Sequence, residues 1–194
     1  MTFIVHSTAS FNERKTAQAA AFFLSRQTKN RMPHLKLMKL LYLADRESVR
    51  EHGYPITNDA WVSMPHGPVL SRTLDLINGY VDSAPNGWEH WISDKENHEV
   101  ALRRAFSPDE LGQLSPADTE VLESVWNEFG AMSQWEISKW THDHCKEWKD
   151  PCGSSAPIAF EDMAKAVGYS AQAAQALSDE FEENKAIDRL FVSL

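Results

Sequence analysis

Apolar residues recur at helical spacing along much of the chain, and the most regular stretch lies between Pro33 and Gly53. Within it, four residues follow the i, i+3, i+4, i+7 pattern of a buried helix face: Leu37, Leu40, Leu41 and Ala44. Pro33 suits the first position of a helix, and Gly53 suits the position just after its last turn. The pattern therefore predicts a long helix from Pro33 to Gly53 at the centre of the fold.

Six further helices are predicted from capping residues and apolar spacing. Two of them begin with a capping box, in which a serine side chain accepts from the backbone and a glutamate three residues later reaches back. These boxes start at Ser10 and Ser133. The six predicted helices cover residues 10–28, 68–78, 115–130, 133–142, 160–168 and 170–184.

Strands are predicted only in the middle of the chain. Residues 60–64 alternate weakly between apolar and polar and are followed by a turn at 65–68. Residues 88–93 and 98–103 are predicted to pair as a hairpin. The fold class that follows is α+β and mostly α-helical, a single domain with a small antiparallel β-sheet between two helical blocks.

The composition indicates a folded, acidic protein and limits the classes of partner that we expect it to bind. The 194 residues include 28 acidic and 19 basic side chains, a formal net charge of −9 at pH 7. Such a surface disfavours the phosphate backbone, so nucleic acid is not expected to be the main partner. The two cysteines do not suggest a disulfide scaffold, and no apolar run approaches the ~18 residues of a membrane span. We expect a cytoplasmic protein without a membrane partner.

The strongest candidate for a metal site is a group of nitrogen and sulfur donors near the end of the helix at 133–142. Its members are His142, His144, Cys145 and Cys152, and these donor types suit zinc. The spacing argues against a site, because the two histidines point to different faces of a continuing helix and no paired cysteine knuckle is present. We expect no metal and no cofactor here, and histidines that favour the negative end of the helix dipole.

Sequence motifs of common enzymes are missing from the chain. It contains no nucleophile elbow, no phosphate-binding glycine loop and no zinc-protease helix motif. Its acidic residues are spread over helix surfaces, as solvated faces usually are. We therefore expect no catalytic residues and a protein that is not an enzyme.

The turn at residues 64–69 carries two prolines and a glycine, which fix a corner between strand and helix. The backbone amides of residues 69–71 are predicted to lack partners inside the following helix. They can therefore cap an acidic side chain or an anion. The alternative is a rigid corner without a ligand.

A basic stripe is predicted on the central helix. At 100° per residue, four cations fall on one arc with an apolar residue in the middle: Lys36, Lys39, Arg46 and Arg50, with Leu43 between them. On an acidic protein such a stripe can receive an acidic partner surface, and we assign it a partner-binding role. The alternative is a solvated helix face in which Glu47 pairs locally.

Three residues close to the second capping box are predicted to be structural. Trp140 is expected to pack inward with Ile137, and Trp148 is expected to fold back on the core and anchor the loop that follows. His142 is expected to hydrogen-bond with a backbone or carboxylate group near Asp150. This assignment makes the segment part of the scaffold.

Several short motifs occur in an order that resembles one known family. The first half carries KLLYLADR at 39–46, GYPITND at 53–59 and GPV at 67–69. The second half adds Leu102, WTH at 140–142, EWKDP at 147–151 and PI at 157–158. Together they resemble the Panacea domain of SocA-like antitoxins. The motif positions that we treat as structural are Asp45, Pro55, Asp59, Gly67, Pro68, Val69, Trp140, His142 and Trp148.

This resemblance implies a function that composition alone does not give. Its members are bacterial and phage-associated antitoxins that bind a toxin encoded beside them, some with a link to proteolytic disposal of that toxin. The family has no recognised catalytic centre and no obligatory cofactor. The resemblance implies an N-terminal extension at 1–16, a Panacea-like domain at 17–168 and a C-terminal helix and tail at 169–194. We expect the two termini to differ between partners.

Two other functions stay open at this point. Antitoxins often repress their own operon, so a DNA-binding autoregulator is one alternative, although the net charge of −9 opposes it. The other is a small metal-dependent hydrolase built on His142, His144 and Cys145. The expected partners are a cognate protein toxin and a cellular protease.

Overall fold

A computed structural model describes residues 11–192 of the chain. Eight α-helices lie within this range: α1 (Glu13–Ser25), α2 (His34–His52), α3 (Ser71–Asn78), α4 (Trp88–Trp91), α5 (Pro116–Phe129), α6 (Gln134–His144), α7 (Phe160–Ala166) and α8 (Ala171–Val192). Five short strands accompany them: β1 (Arg31–Pro33), β2 (Trp61–Met64), β3 (Gly67–Leu70), β4 (Glu99–Ala101) and β5 (Ala156–Pro157). The predicted class, a mostly helical α+β domain, is confirmed.

Helix α2 lies at the centre of the fold, as its apolar pattern predicts. It packs against α1, α5, α6, α7 and strand β3. Its predicted core face is fully or almost fully buried, at Leu37, Leu40, Leu41 and Ala44. The helix ends where Gly53 adopts a left-handed conformation with φ of 79° and donates its N–H to the carbonyl of Val49.

Helix α1 begins and ends inside the predicted limits. Its N-cap is Asn12, whose side chain accepts from the N–H of Lys15 at 3.0 Å. Ser10, the predicted cap, lies outside the described residues. Glu13 accepts from the hydroxyl of Ser83 and from the backbone N–H of Trp88. The helix thereby fastens the loop before α4 to the core.

The third helix starts later than predicted, because residues 67–70 form a strand that pairs with β2. Residues 67–70 pair with β2 in an antiparallel register, with Trp61 opposite Leu70 and Met64 opposite Gly67. Pro68 therefore lies in a strand, and α3 begins only at Ser71. A proline is tolerated there because β3 is an edge strand of the sheet ordered β3-β2-β5.

The predicted hairpin of residues 88–93 and 98–103 is retained only in part. Trp88 and Trp91 form a single helical turn, and their i, i+3 spacing buries both rings. Strand β4 also pairs with β1, where Met32 lies opposite Val100. What remains of the predicted hairpin includes bridges between Ile92 and Leu102 and between Glu96 and Glu99, and a hydrogen bond from the Ser93 N–H to the Ala101 carbonyl.

Helices α5 and α6 begin directly after their predicted N-cap residues. Ser115 and Ser133 each close a capping box, with Asp118 and Glu136 as the reciprocal acidic partners. Helix α8 runs to Val192, past the predicted end near residue 184, and packs on α7. Across residues 11–192, none of the helices combines the length and apolar character that crossing a membrane requires.

Candidate functional site

Asp45 is a buried carboxylate that fixes the segment following α2. Its Oδ1 accepts from the backbone N–H groups of Ile56 and Thr57, at 3.0 and 2.9 Å. Its Oδ2 accepts from the hydroxyl of Thr57 at 2.6 Å and from the indole N–H of Trp61 at 3.0 Å. Burial raises the pKa of Asp45 to about 6, against the opposing effect of the hydrogen bonds from Thr57 and Trp61. The role of this carboxylate is to hold chain segments together.

Asp59 is a second buried carboxylate, and its hydrogen bonds fix the start of helix α3. Its carboxylate accepts from the backbone N–H groups of Arg72 and Thr73, at 2.9 and 2.8 Å, and from the hydroxyl of Thr73 at 2.7 Å. Burial raises its pKa, although these donors act in the opposite direction. An acidic side chain therefore caps this helix, but at residues 72 and 73 and not at the predicted residues 69–71. The shift follows from the later start of α3.

Lys39 and Gly67 lie close together where α2 meets the hairpin. The Lys39 ammonium is fully buried and donates to the carbonyl of Pro68 at 2.7 Å. Burial lowers the pKa of Lys39 to about 7. Gly67 has φ of 95°, and a Cβ placed there would lie 2.8 Å from Lys39 Nζ and 2.9 Å from Thr141 Oγ1. Glycine is needed at this position both for its backbone conformation and for space.

A buried carboxylate that sequence reasoning missed links α2 to the segment after α6. Glu147 Oε1 accepts from the Tyr42 hydroxyl at 2.7 Å and from Arg46 Nε at 2.9 Å. Burial, followed by the nearby Glu147 charge, raises the pKa of Tyr42 well above its ordinary value. A signal was present on the helix, because Tyr42 and Arg46 lie one turn apart on the same face and can share one acceptor.

His142 and Trp148 stack face to face at the surface next to this network. Their ring centroids lie 4.3 Å apart with an interplanar angle of 9°. The Trp148 indole N–H donates to the carbonyl of Met64 at 3.0 Å, so the ring does fold back on the core, although it is only half-buried. The His142 ring interacts with the backbone of His66, not with a group near Asp150 as predicted. Burial is the main cause that lowers the pKa of His142.

The region that carries this network is the one that a family model matches. The model is that of the antitoxin SocA-like Panacea domain, and it covers residues 37–149, more than half of the chain. The chain belongs to the Panacea family. No curated protein and no solved structure matches it.

The matched Panacea segment begins on α2 and ends just after Trp148, so it encloses all the contacts described above. Three of its buried carboxylates, Asp45, Asp59 and Glu147, each join α2 or the hairpin to a part of the chain distant in sequence or to a helix end. The predicted structural role of Asp45 and Asp59 fits these contacts, and Val69 is buried.

The predicted metal donors do not form a cluster in the Panacea domain. His142 stacks on Trp148, whereas His144 stacks on Trp140 with centroids 4.5 Å apart. Cys145 is buried, and burial raises the pKa of its thiol to about 12, while Cys152 is exposed. Within residues 11–192, no group of three or more histidine, cysteine, aspartate or glutamate side chains is placed to hold a metal ion.

The predicted basic stripe is not an exposed surface. Lys36, Lys39 and Leu43 are buried, and the Lys36 ammonium donates to the carbonyl of Gly130 at 2.7 Å. The helical wheel was right about which residues share a face but could not show that α5, α6 and the hairpin cover it. The two arginines of the stripe reach further out. The Arg46 side chain is 15% exposed and that of Arg50 is 49% exposed.

Leu43 and these two arginines line a groove between α2, α5 and the end of α6. The groove has a volume of about 230 Å³. Val125, Glu128, Phe129 and Trp140 are among the residues of its other walls. Trp140 meets the Phe129 ring edge to face, with centroids 4.7 Å apart. The outer half of the predicted stripe therefore forms one side of a small aromatic and charged depression.

Proposed function

We propose that the protein is an antitoxin that neutralises a cognate toxin, encoded nearby, by binding it directly in the cytoplasm. The observation that carries this proposal is the match to the antitoxin SocA-like Panacea domain over residues 37–149. The matched segment contains the central helix, the hairpin and the buried carboxylates that fix them together. A rigid domain of this kind presents a preformed surface, which lowers the entropic cost of binding a partner.

The charge of the chain supports a basic partner. With a formal net charge of −9, the protein attracts a positively charged surface over a distance comparable to the Debye length. Toxins that act on RNA need such a surface to hold their substrate. We therefore propose a toxin with a basic contact face, and the proposed role requires no catalytic group of the antitoxin itself.

Co-expression tests this proposal. The product of each adjacent open reading frame is induced alone and together with the protein, and growth is measured. We expect one product to stop growth alone and to be tolerated when the protein is present, and we expect the two purified proteins to co-elute. A toxic neighbour that the protein neither rescues nor binds would contradict the proposal, as would the lack of any toxic neighbour.

The stability of the toxin in the same cells separates two modes of neutralisation. Simple blocking leaves the half-life of the toxin unchanged or longer when the protein is present. Delivery to a cellular protease shortens it, and deletion of that protease then restores toxin levels. We propose direct binding as the common first step of both modes.

A further inference from the structure

Residues 104–114, which we call the strap, belong to the segment that connects β4 to α5 and form one wall of a cavity. The cavity has a volume of about 640 Å³. The strap contributes Phe106, Leu111 and Leu114 to its lining, and α1 contributes Phe22 on another side. Each residue of the strap is at least partly exposed to solvent. The strap therefore adds little to the apolar core that holds the domain together.

Both ends of the strap are attached to regular structure. Just before it, the Arg103 N–H donates to the carbonyl of Trp91 at 2.9 Å. Just after it, Ser115 and Asp118 close the capping box of α5. Inside the strap, the backbone hydrogen bonds are local and lie within residues 107–114. A segment of this kind can leave the surface between two fixed ends without breaking a strand pair or an α-helix.

One glutamine holds the strap against the core. Gln18 Nε2 donates to the carbonyl of Glu110 at 3.1 Å, and Gln18 Oε1 accepts from the N–H of Gln113 at 2.8 Å. Within residues 11–192, these two are the hydrogen bonds that connect the strap to other parts of the chain. Gln18 is buried in the middle of α1, among alanine and phenylalanine residues. A buried polar side chain needs hydrogen-bond partners, and the strap supplies them to both halves of this amide.

Aromatic contacts support only the beginning of the strap. The Phe106 ring meets the Trp91 ring edge to face, with centroids 5.4 Å apart. The Arg104 guanidinium lies over the same indole, 4.6 Å from its centroid, and forms an ion pair with Glu110 inside the strap. The part of the strap that follows Phe106 depends on Gln18 for its polar attachment.

We propose that the strap opens as a unit while the rest of the domain stays folded, and that Gln18 is its latch. Opening breaks the two hydrogen bonds to Gln18 and the contacts with Trp91, and it uncovers the cavity on the side of Phe22. Helix α5 and the pair of β1 and β4 keep their own hydrogen bonds. Parts of a protein with few buried apolar contacts open at a lower free energy than its core does. The inference goes beyond the proposed function and does not depend on it.

Native-state hydrogen exchange on the full chain tests this inference. The N–H groups of Glu110, Leu111 and Leu114 donate inside the strap, whereas that of Leu122 lies in the buried part of α5. We expect the three strap amides to share one opening free energy and to exchange about 100-fold faster than Leu122, after correction for intrinsic rates. Their exchange should depend only weakly on added urea, because strap opening exposes little surface.

Two results of this experiment would overturn the inference. If the strap amides match Leu122 in protection and in urea dependence, the strap opens only when the whole domain unfolds. If the three strap amides have unrelated opening free energies, the strap does not move as a unit. Both results are obtained with the parent protein, so they do not depend on the folding of any variant.

A matched pair of substitutions tests the latch. Gln18→Met keeps the length of the side chain but removes both hydrogen bonds to the strap. Gln27→Met makes the same change just after α1, at a side chain that forms no hydrogen bond to the strap among residues 11–192. We expect Gln18→Met to speed the exchange of the strap amides about tenfold and Gln27→Met to change it less than about twofold. Thermal denaturation verifies that both variants are folded. Strap amides that exchange equally in Gln18→Met and in the parent would overturn the assignment of Gln18 as the latch.

Discussion

The ammonium group of Lys39 is fully buried and donates to the carbonyl of Pro68 at 2.7 Å, with no ion-pair partner among the described residues. This contact joins the central helix to the edge strand of the hairpin. Its energetic cost follows from burial, which lowers the pKa of Lys39 from 10.5 to about 7. The domain therefore carries an internal group whose charge changes near neutral pH.

The stability of the protein is expected to rise between pH 7 and 8.5 because of Lys39. In this range the unfolded chain keeps a proton that the folded protein releases, so folding is favoured as the pH rises, by at most about 2 kcal/mol. The Lys39→Met variant should lack this increase, and the exposed Lys146→Met should retain it. Urea denaturation at both pH values measures the difference. Parallel curves for the parent and Lys39→Met would contradict the assignment.

The comparison of folding stability ends at pH 8.5 because a second group, Cys145, affects stability at higher pH. Burial raises the pKa of the neighbouring Cys145 to about 12, so its thiol stays protonated in the folded protein when the unfolded chain begins to lose that proton. Above about pH 9 this thiol makes folding less favourable as the pH rises. The two effects have opposite signs and are separated by the chosen range.

Gly67→Ala is expected to destabilise the domain more than Gly79→Ala. Both glycines have positive φ, at 95° and 69°, so both variants carry backbone strain of about 1–2 kcal/mol. A Cβ at Gly79 meets no atom within 4 Å, whereas one at Gly67 lies 2.8 Å from Lys39 Nζ. We expect the clash at Gly67 to add about 1–3 kcal/mol. Chemical denaturation of the two variants gives the difference, and equal losses would exclude a tight contact.

Asp45→Asn is expected to cost about 3 kcal/mol of folding stability. All four groups that meet Asp45 are hydrogen-bond donors, from Ile56, Thr57 and Trp61. An amide in its place turns one acceptor into a donor and leaves buried N–H groups without partners. The half-buried Asp75→Asn is the control and should melt like the parent. A small effect at Asp45 would mean that the amide finds other acceptors.

Features that depend on a few adjacent residues could be predicted from the sequence. The capping boxes at Ser115 and Ser133 and the stop at Gly53 involve neighbours within five residues, so the sequence contains the whole interaction. The pairing of β1 with β4 joins residues 31–33 to 99–101, and no local pattern predicts it. Trp88 and Trp91 were placed in a strand because aromatic residues favour strands, but burial of both rings favoured a helical turn.

The same contrast between local and long-range contacts applies to the candidate site. A helical wheel correctly grouped Lys39, Leu43 and Arg46, since that grouping depends on helix geometry alone. What covers the face is set by distant segments, and Glu147 reaches Arg46 from 101 residues further along the chain. Which cations of the stripe stay exposed depends on such distant contacts. The burial of Lys36 and Lys39 could therefore not be predicted from the helix by itself.

The last prediction concerns Trp148. Its ring is half-buried, stacks on His142 and donates to the Met64 carbonyl. Trp148→Ala is expected to cost about 2 kcal/mol, less than the ~3–5 kcal/mol of a fully buried tryptophan. Trp148→Phe keeps an aromatic ring on His142 but loses the indole donor, so its cost should be about 1 kcal/mol, the net value of one hydrogen bond.

These two variants also determine whether Trp148 belongs to the scaffold or to the toxin interface. Because the ring already contacts groups of its own chain, we expect each variant to bind the toxin as the parent does at temperatures where it is folded. Binding would then decrease only in proportion to the unfolded fraction. Calorimetry well below the melting temperature measures this directly. A Trp148→Ala variant that melts like the parent but binds at least tenfold more weakly would instead identify Trp148 as an anchor residue of the interface.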